Sequence, residues 1–259
     1  MHAEPMTFIW LFDTFTAALG PLNEAPMHTH PVAQLTVGID APLRIHAASG
    51  PIDAWAVFIP PGALHRSDPS TLARLTVYLD PAHTLARSLT RLGQHEVIAL
   101  DVPPEQRAAL APLSPKHVSC TEARARFESL LACHGNRASA PLDPRVTRAL
   151  QLLRTDDGKL ITLTALAEAV GLSAERLRHL VREQVGLPFS RYRLWLRLGD
   201  AVEAILGGAS FTDAAHAAAF ADSAHLARAF RQAFGDSLSG RLLDPHGSRF
   251  IQAVRCRDS

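Results

Sequence analysis

Two kinds of side chain in this 259-residue chain are spaced for chemistry: arginines in one stretch and histidines in another. Between Ala174 and Arg197 stand Arg176, Arg178, Arg182, Arg191, Arg193 and Arg197, against only Glu175 and Glu183. A guanidinium is a planar fork that grips a phosphate, or O6 and N7 of guanine, through paired hydrogen bonds. The same run also suits a solvated, salt-bridged helix face. Far upstream, His28-Thr29-His30 puts two imidazoles on one face of a strand, because strand side chains alternate with period two. Paired imidazoles can ligate a divalent metal, or hydrogen-bond an organic molecule or each other.

Other chemistries find no support. There is no nucleophile triad, no phosphate-cradling glycine loop and no HExxH, so an enzyme is not expected. A formal net charge of +1 decides nothing about nucleic acid. Cys120, Cys133 and Cys256 are odd in number and widely spaced, with no CxxC. They suggest a reducing cytosol, without a disulfide framework or a zinc finger. The run Phe8-Ile9-Trp10-Leu11-Phe12 is too short, and lacks the basic flank, for a signal peptide. No apolar run approaches a membrane span, so a cytoplasmic chain without membrane contact is expected.

The elements that must position these side chains change along the chain. Residues 1 to about 80 are β-rich: Val32–Ile39, Leu43–His46, Ala54–Ile59 and Leu72–Leu79 are short β-branched or aromatic runs, punctuated by Pro, Gly and Asp. From Pro81 the period becomes helical, with Pro81–Leu92, Pro103–Leu110 and Thr121–Cys133. Gly135–Pro144 has linker composition, and everything after it reads as helix.

Within that helical part, two short helical pairs flank turns too tight for ordinary loops. In the first, Thr162 caps a helix through Val170, Gly171 reverses the chain and Ser173 caps the next helix. Leu177, Leu180 and Val181 then face inward, leaving Glu175, Arg178, His179 and Arg182 outward. In the second, Ser210 with Asp213 opens the first helix, Asp222 or Ser223 caps the next, and Gly235 stops it. Leu226, Phe230 and Phe234 face inward, and His225, Arg228 and Arg231 outward. Two helix-turn-helix motifs joined by the helical stretch Phe189–Leu206 predict a protein that reads two successive turns of DNA.

Over about 100 residues the anchors resemble the AraC/XylS family of bacterial transcription regulators. They are Leu166-Ala167, Gly171-Leu172-Ser173, Leu177, Gly186, Phe189, Tyr192, Leu196-Arg197-Leu198, Phe220, Asp222, Leu226, Arg228, Phe230, Phe234, Gly235 and Ser237. The resemblance implies base contacts from Glu175, Arg178 and His179, with Arg182 on the same face, and from Ser223, Ala224, His225 and Arg228. Four departures fall in the second motif: Ala219 where the family has Gly, Ala214 for Ile, Leu238 for Pro and Arg241 for an aromatic residue. They imply a second motif that is looser, or reads DNA less specifically.

Family members often carry a small β-barrel sensor of the cupin type. Here His28-Thr29-His30, Gln34 and Pro60-Pro61-Gly62-Ala63-Leu64-His65 resemble the cupin site, with Gln34 where a metal cupin has Glu. A neutral amide is a poorer ligand than a carboxylate. The resemblance therefore implies an effector pocket of His28, His30, Gln34 and His65, with no cofactor required and a Zn, Ni, Fe or Mn ion as the lesser reading. The expected architecture is α+β: a cupin-like barrel with helical additions (1–136), a linker (137–144), an all-α domain with two helix-turn-helix motifs (145–245) and a tail (246–259). The expected function is a DNA-binding regulator that binds a double-stranded operator and a small-molecule effector and dimerises through its N-terminal half. A metal-dependent cupin dioxygenase or isomerase fused to a DNA-binding domain is the competing reading, and a DNA binder with an inert sensor domain is a third.

Overall fold

The computed structural model describes residues 7–22, 26–93, 96–113, 117–134, 140–155, 160–235, 237–238 and 251–256. It separates into a sheet-rich unit, 1–138 with 230–259, and a helical unit, 139–229. The expected linker segment 135–139, and Arg241, lie outside the described residues.

In the sheet-rich unit the strands are β1 (Thr7–Leu11), β2 (Phe15–Leu22), β3 (Ala33–Gly38), β4 (Leu43–Ala47), β5 (Gly50–Ala54), β6 (Ala56–Ile59), β7 (His65–Ser67), β8 (Ser70–Leu79), β9 (Ile98–Leu100) and β10 (Ile251–Arg255). Seven form one sheet, in the order β10-β1-β2-β8-β3-β6-β9, and β5-β4-β7 form a second. Helices α1 (Thr84–Gly93), α2 (Pro104–Leu110) and α3 (Cys120–His134) come after β8, with β9 between α1 and α2.

Strand β3 is buried along its whole length, and its two faces differ. Ala33, Leu35 and Val37 join Leu75, Val77 and Leu79 of β8 in an apolar core with Leu85, Leu89, Phe127 and Leu130 of the helices. On the other face Gln34 lies opposite Tyr78, and Thr36 opposite Thr76. All four are buried, so this face of the sheet is polar yet shielded from water. Trp10 anchors the core, fully buried, with the Phe127 ring edge-on at 5.3 Å.

Residues 7–22, inside the stretch read as β-rich, form two strands that alternation did not mark singly, since a continuous apolar run such as Phe8–Phe12 does not reveal its period. Two sequence-based expectations need correction here. Residues 251–255, read as tail, form β10, parallel to β1, with Thr7 opposite Ile251. Cys120 and Cys256 are joined in a disulfide across 136 residues, against the expectation of free thiols. Spacing cannot reveal such a pair. The partners meet because β10 runs beside β1, where the Cys256 N–H donates to the Leu11 carbonyl at 2.9 Å. Cys133 is free and exposed.

The helical unit begins with α4 (Pro144–Leu153), capped by Asp143. The Arg145 side chain and N–H hold the Asp143 carboxyl at a pKa of about 2. Then come α5 (Leu163–Ala169), α6 (Ala174–Val185), α7 (Phe189–Leu206), α8 (Phe211–Ala217) and α9 (Ser223–Phe234), whose last turn falls in the sheet-rich unit. No described helix is long and apolar enough to cross a membrane.

Candidate nucleic-acid interface and histidine cluster

The first helix-turn-helix motif is α5, a turn at Gly171 and α6. Thr162 Oγ1 accepts from the Ala165 N–H at 3.1 Å, and Ser173 Oγ from the Arg176 N–H at 3.2 Å, so each helix start is satisfied by its cap. Gly171 has φ +68°, where an L side chain is strained. The Leu172 N–H then closes back on the Ala167 carbonyl at 2.9 Å. Leu166, Ala167, Leu177 and Val181 are fully buried between the helices. Glu175, Arg178, His179 and Arg182 are exposed. With Ser173 and Arg176 they line an open depression of about 610 Å³.

The second motif repeats the plan. Ser210 Oγ accepts from the Asp213 N–H at 3.1 Å, and Asp222 Oδ1 from the His225 N–H at 2.6 Å. The Phe220 N–H closes on the Ala215 carbonyl at 2.8 Å, the counterpart of the bond at Leu172. The turn is one residue longer, since Ala221 separates Phe220 from the cap. Ala219 occupies the left-handed position at φ +59°, the one non-glycine residue with positive φ among those described. Ala224 and Arg228 are exposed, and Ser223 and His225 half-buried. The His225 ring stands edge-on to Phe220 at 5.2 Å. It is thus less available than the outward reading supposed.

Two of the six arginines in the basic run serve the fold. Arg197 donates from Nε to the Ala218 carbonyl at 2.9 Å and from Nη2 to the Ala219 carbonyl, and its guanidinium lies 4.2 Å from the Phe220 ring centre. It clamps the strained turn from α7. Arg193 donates to the Ile161 carbonyl and covers the Phe189 ring at 5.1 Å. Burial lowers the pKa of both guanidiniums, and Arg193 adds to the effect on Arg197. The run of charge in the sequence could not separate these two from Arg178 and Arg182; what marks them is their place on α7, facing the Ile161 carbonyl and the Ala218–Ala219 carbonyls.

In the sheet-rich unit, His28 and His65 form an isolated antiparallel bridge, exchanging N–H···O bonds of 2.9 Å in both directions. Gly62, at φ +80°, donates its N–H to the His30 carbonyl at 2.8 Å. This pairing lays the Pro60–His65 turn across the His-Thr-His segment and brings three imidazoles together. Their ring centres are 4.6 Å (His28–His30), 4.5 Å (His28–His65) and 4.9 Å (His30–His65) apart. His30 and His65 are buried and His28 is half-buried. Gln34 sits on the polar face of β3 opposite Tyr78, whose ring meets His30 at 5.2 Å. Its Nε2 donates to Thr36 Oγ1 at 2.7 Å, while its buried Oε1 has no hydrogen-bond partner among the described residues. Gly235, at φ +72°, is required twice over: a Cβ there would stand 2.4 Å from the His28 side chain.

Residues 166–240 match the family model of a helix-turn-helix domain. No curated protein sequence matches the chain. Among solved structures it is similar to ToxT from Vibrio cholerae O395, at 10% identity over 90% of this chain and 99% of that one, with a TM-score of 0.61. It is also similar to wild-type ToxT from Vibrio cholerae strain SCE256 bound to an unsaturated fatty acid, at 9% identity over 93% of this chain and 97% of that one, with a TM-score of 0.56. At such identity the likeness is one of fold, and it extends over both units. The segment that the family model matches is thus a helix-turn-helix domain, built from the two motifs α5–α6 and α8–α9.

Proposed function

We propose that this chain reads a double-stranded operator with two helices, α6 through Glu175, Arg178, His179 and Arg182, and α9 through Ser223, Ala224, His225 and Arg228. The observation that carries this reading is the pair of outward arginines, Arg178 and Arg228, each exposed early in a helix whose opposite face is buried. Arginine at such a position reaches guanine O6 and N7 in the major groove. The 18 residues of α7 span about 27 Å, which suits reading helices set about one DNA turn, roughly 34 Å, apart.

The chain acts as a regulator in the cytoplasm, where its DNA is, and not as an enzyme. The sheet-rich unit binds a small effector and carries the contacts of a homodimer. The buried polar face of Gln34, Thr36, Thr76 and Tyr78 supports the effector reading, since buried polar groups aimed at one region can orient a ligand. A ToxT structure holds an unsaturated fatty acid, which supports a small-molecule role for this fold. Effector control requires different affinity for two states of the protein.

The test is enrichment of random duplex DNA by the full chain at fixed salt, followed by sedimentation of the protein alone. Two enriched elements about one helical turn apart, bound by a dimer, are the expected result. Absence of any enriched sequence overturns the operator reading, and a monomer at micromolar concentration overturns the dimer.

A further inference from the structure

We propose that Cys120 and Cys256 form a reversible thiol–disulfide switch: the bond latches β10 onto β1, and its reduction lets that strand go. The proposal rests on the reading of the chain as a cytoplasmic regulator, and it gives that regulator an oxidant as an input.

Cytosolic thiols are kept reduced, and the disulfides that form there are mostly transient ones that sense or perform redox chemistry. A bond between α3 and β10 in that compartment is therefore one that opens and closes. Both cysteines belong to the sheet-rich unit. Cys256 is buried and Cys120 half-buried, so an incoming thiolate reaches the Cys120 sulfur first. Cys120 is the first residue of the 15-residue helix α3, whose start is capped by Ser119 Oγ, accepting from the Glu122 N–H at 3.2 Å. The positive end of the helix dipole favours a negative sulfur at that place. Glu122, the acidic residue of the same turn, is paired with Arg126. Cys133 is free but lies farther along α3, about 20 Å from Cys120 along the helix axis, too far to compete for it.

The strand leans on the bond. β10 is at the edge of the seven-stranded sheet and pairs on one side only, over five residues. Val254 packs half-buried against the core, while Ala253 and Arg255 are exposed. The ion pair of Arg255 with Asp13, at 2.6 Å, is about one-third exposed at both ends, and such pairs contribute little. The bond joins residues 136 apart, and a cross-link over a long loop removes most freedom from the open state. Once β10 leaves, the backbone groups of the β1 edge lose their partners.

The chemistry balances with a peroxide as oxidant and a dithiol as reductant. The Cys120 thiolate attacks one peroxide oxygen, forming a sulfenic acid and releasing the other oxygen as water once protonated. The Cys256 thiolate attacks the Cys120 sulfur, expels hydroxide and closes the disulfide. The two electrons lost by the sulfurs are those the peroxide gains. In reverse, a dithiol attacks Cys120 Sγ, and the Cys256 sulfur leaves and takes a proton. The second thiol of the reductant then displaces Cys120 and departs as a disulfide.

The experiment uses the full chain, reduced with dithiothreitol, cleared of it, and treated or not with hydrogen peroxide. Thiols are counted in Cys133→Ser, so that only the pair is read. The expected counts are two when reduced, none after peroxide, and two again when fresh dithiothreitol acts on the folded chain. Amide hydrogen exchange of the wild type is followed by mass spectrometry. Protection over 251–256 should be at least about tenfold lower in the reduced chain, with α6 unchanged. Cys120→Ser and Cys256→Ser should exchange like the reduced wild type with or without peroxide. Should the buried Cys256 variant fail to fold, Cys120→Ser, at the half-buried position, decides alone. A bond that dithiothreitol does not open in the folded chain, or equal protection of β10 in both states, overturns the proposal. No DNA enters this test, so its failure leaves the operator reading standing, and failure of the operator test leaves the switch standing.

Discussion

The two helix-turn-helix motifs reach the same backbone geometry by different means. In the first, Gly171 takes φ +68° and no atom lies within 4 Å of where its Cβ would be. The conformation is free there and needs no brace. In the second, Ala219 takes φ +59°, where an L residue costs about 1–2 kcal/mol. Arg197 offsets that cost by holding the carbonyls of Ala218 and Ala219 and by covering Phe220. Hydrogen bonds from a charged donor contribute about 1.5–3 kcal/mol each, and a cation over an aromatic ring about 0.5–2 kcal/mol. A missing glycine therefore does not imply a loose turn when a neighbouring helix supplies the clamp. The looseness suggested by the departures in this motif is countered at Ala219, though nothing in the structure offsets Ala214.

The difference can be broken most strongly at the clamp. Arg197→Ala removes both bonds and the ring contact and should cost about 3 kcal/mol, read by urea unfolding of the full chain with far-ultraviolet circular dichroism. Arg197→Lys should rescue little of this, because an ammonium cannot serve two carbonyls with a planar fork. A loss below about 1 kcal/mol would mean that the turn holds itself. The next effect is a pair of opposite sign. Gly171→Ala should destabilise by about 1 kcal/mol, and Ala219→Gly should stabilise by about 1 kcal/mol. If both moved stability the same way, positive φ would not be what distinguishes the turns. The smallest effect sharpens the link between clamp and strain. In a double-mutant cycle, Arg197→Ala should cost about 0.5–1 kcal/mol less in the Ala219→Gly background than in the wild type, because glycine needs less bracing. Strict additivity would separate the two features.

Most of the helical unit was legible because its signals are local. Thr162, Ser173 and Ser210 act as caps within three residues of their partners, and Gly171, Ala219 and Gly235 sit at positive φ where the turn pattern placed them. The apolar stripe of Leu177, Leu180 and Val181 repeats at helical period, and all three are buried. What was hidden depends on partners far along the chain. Strand β10 exists as a strand through β1, and the Cys120–Cys256 bond follows from that pairing. Arg193 and Arg197 look like their solvent-facing neighbours in sequence; only the packing of α7 turns them inward. The histidines fall between these cases. Their spacing marked His28 and His30 as sharing a face, but the register that sets His65 against His28 is a property of the folded sheet.

The central claim is that both motifs touch bases, the first more strongly. The direct measurement is the affinity of Arg178→Ala, Arg228→Ala and the double variant for the enriched operator at fixed salt, with base preference scored at every position. Each single substitution should cost about 1–3 kcal/mol and relax preference at a different element, with the larger loss at Arg178. If neither variant changes affinity for any enriched site, α6 and α9 are not the reading helices and the account fails.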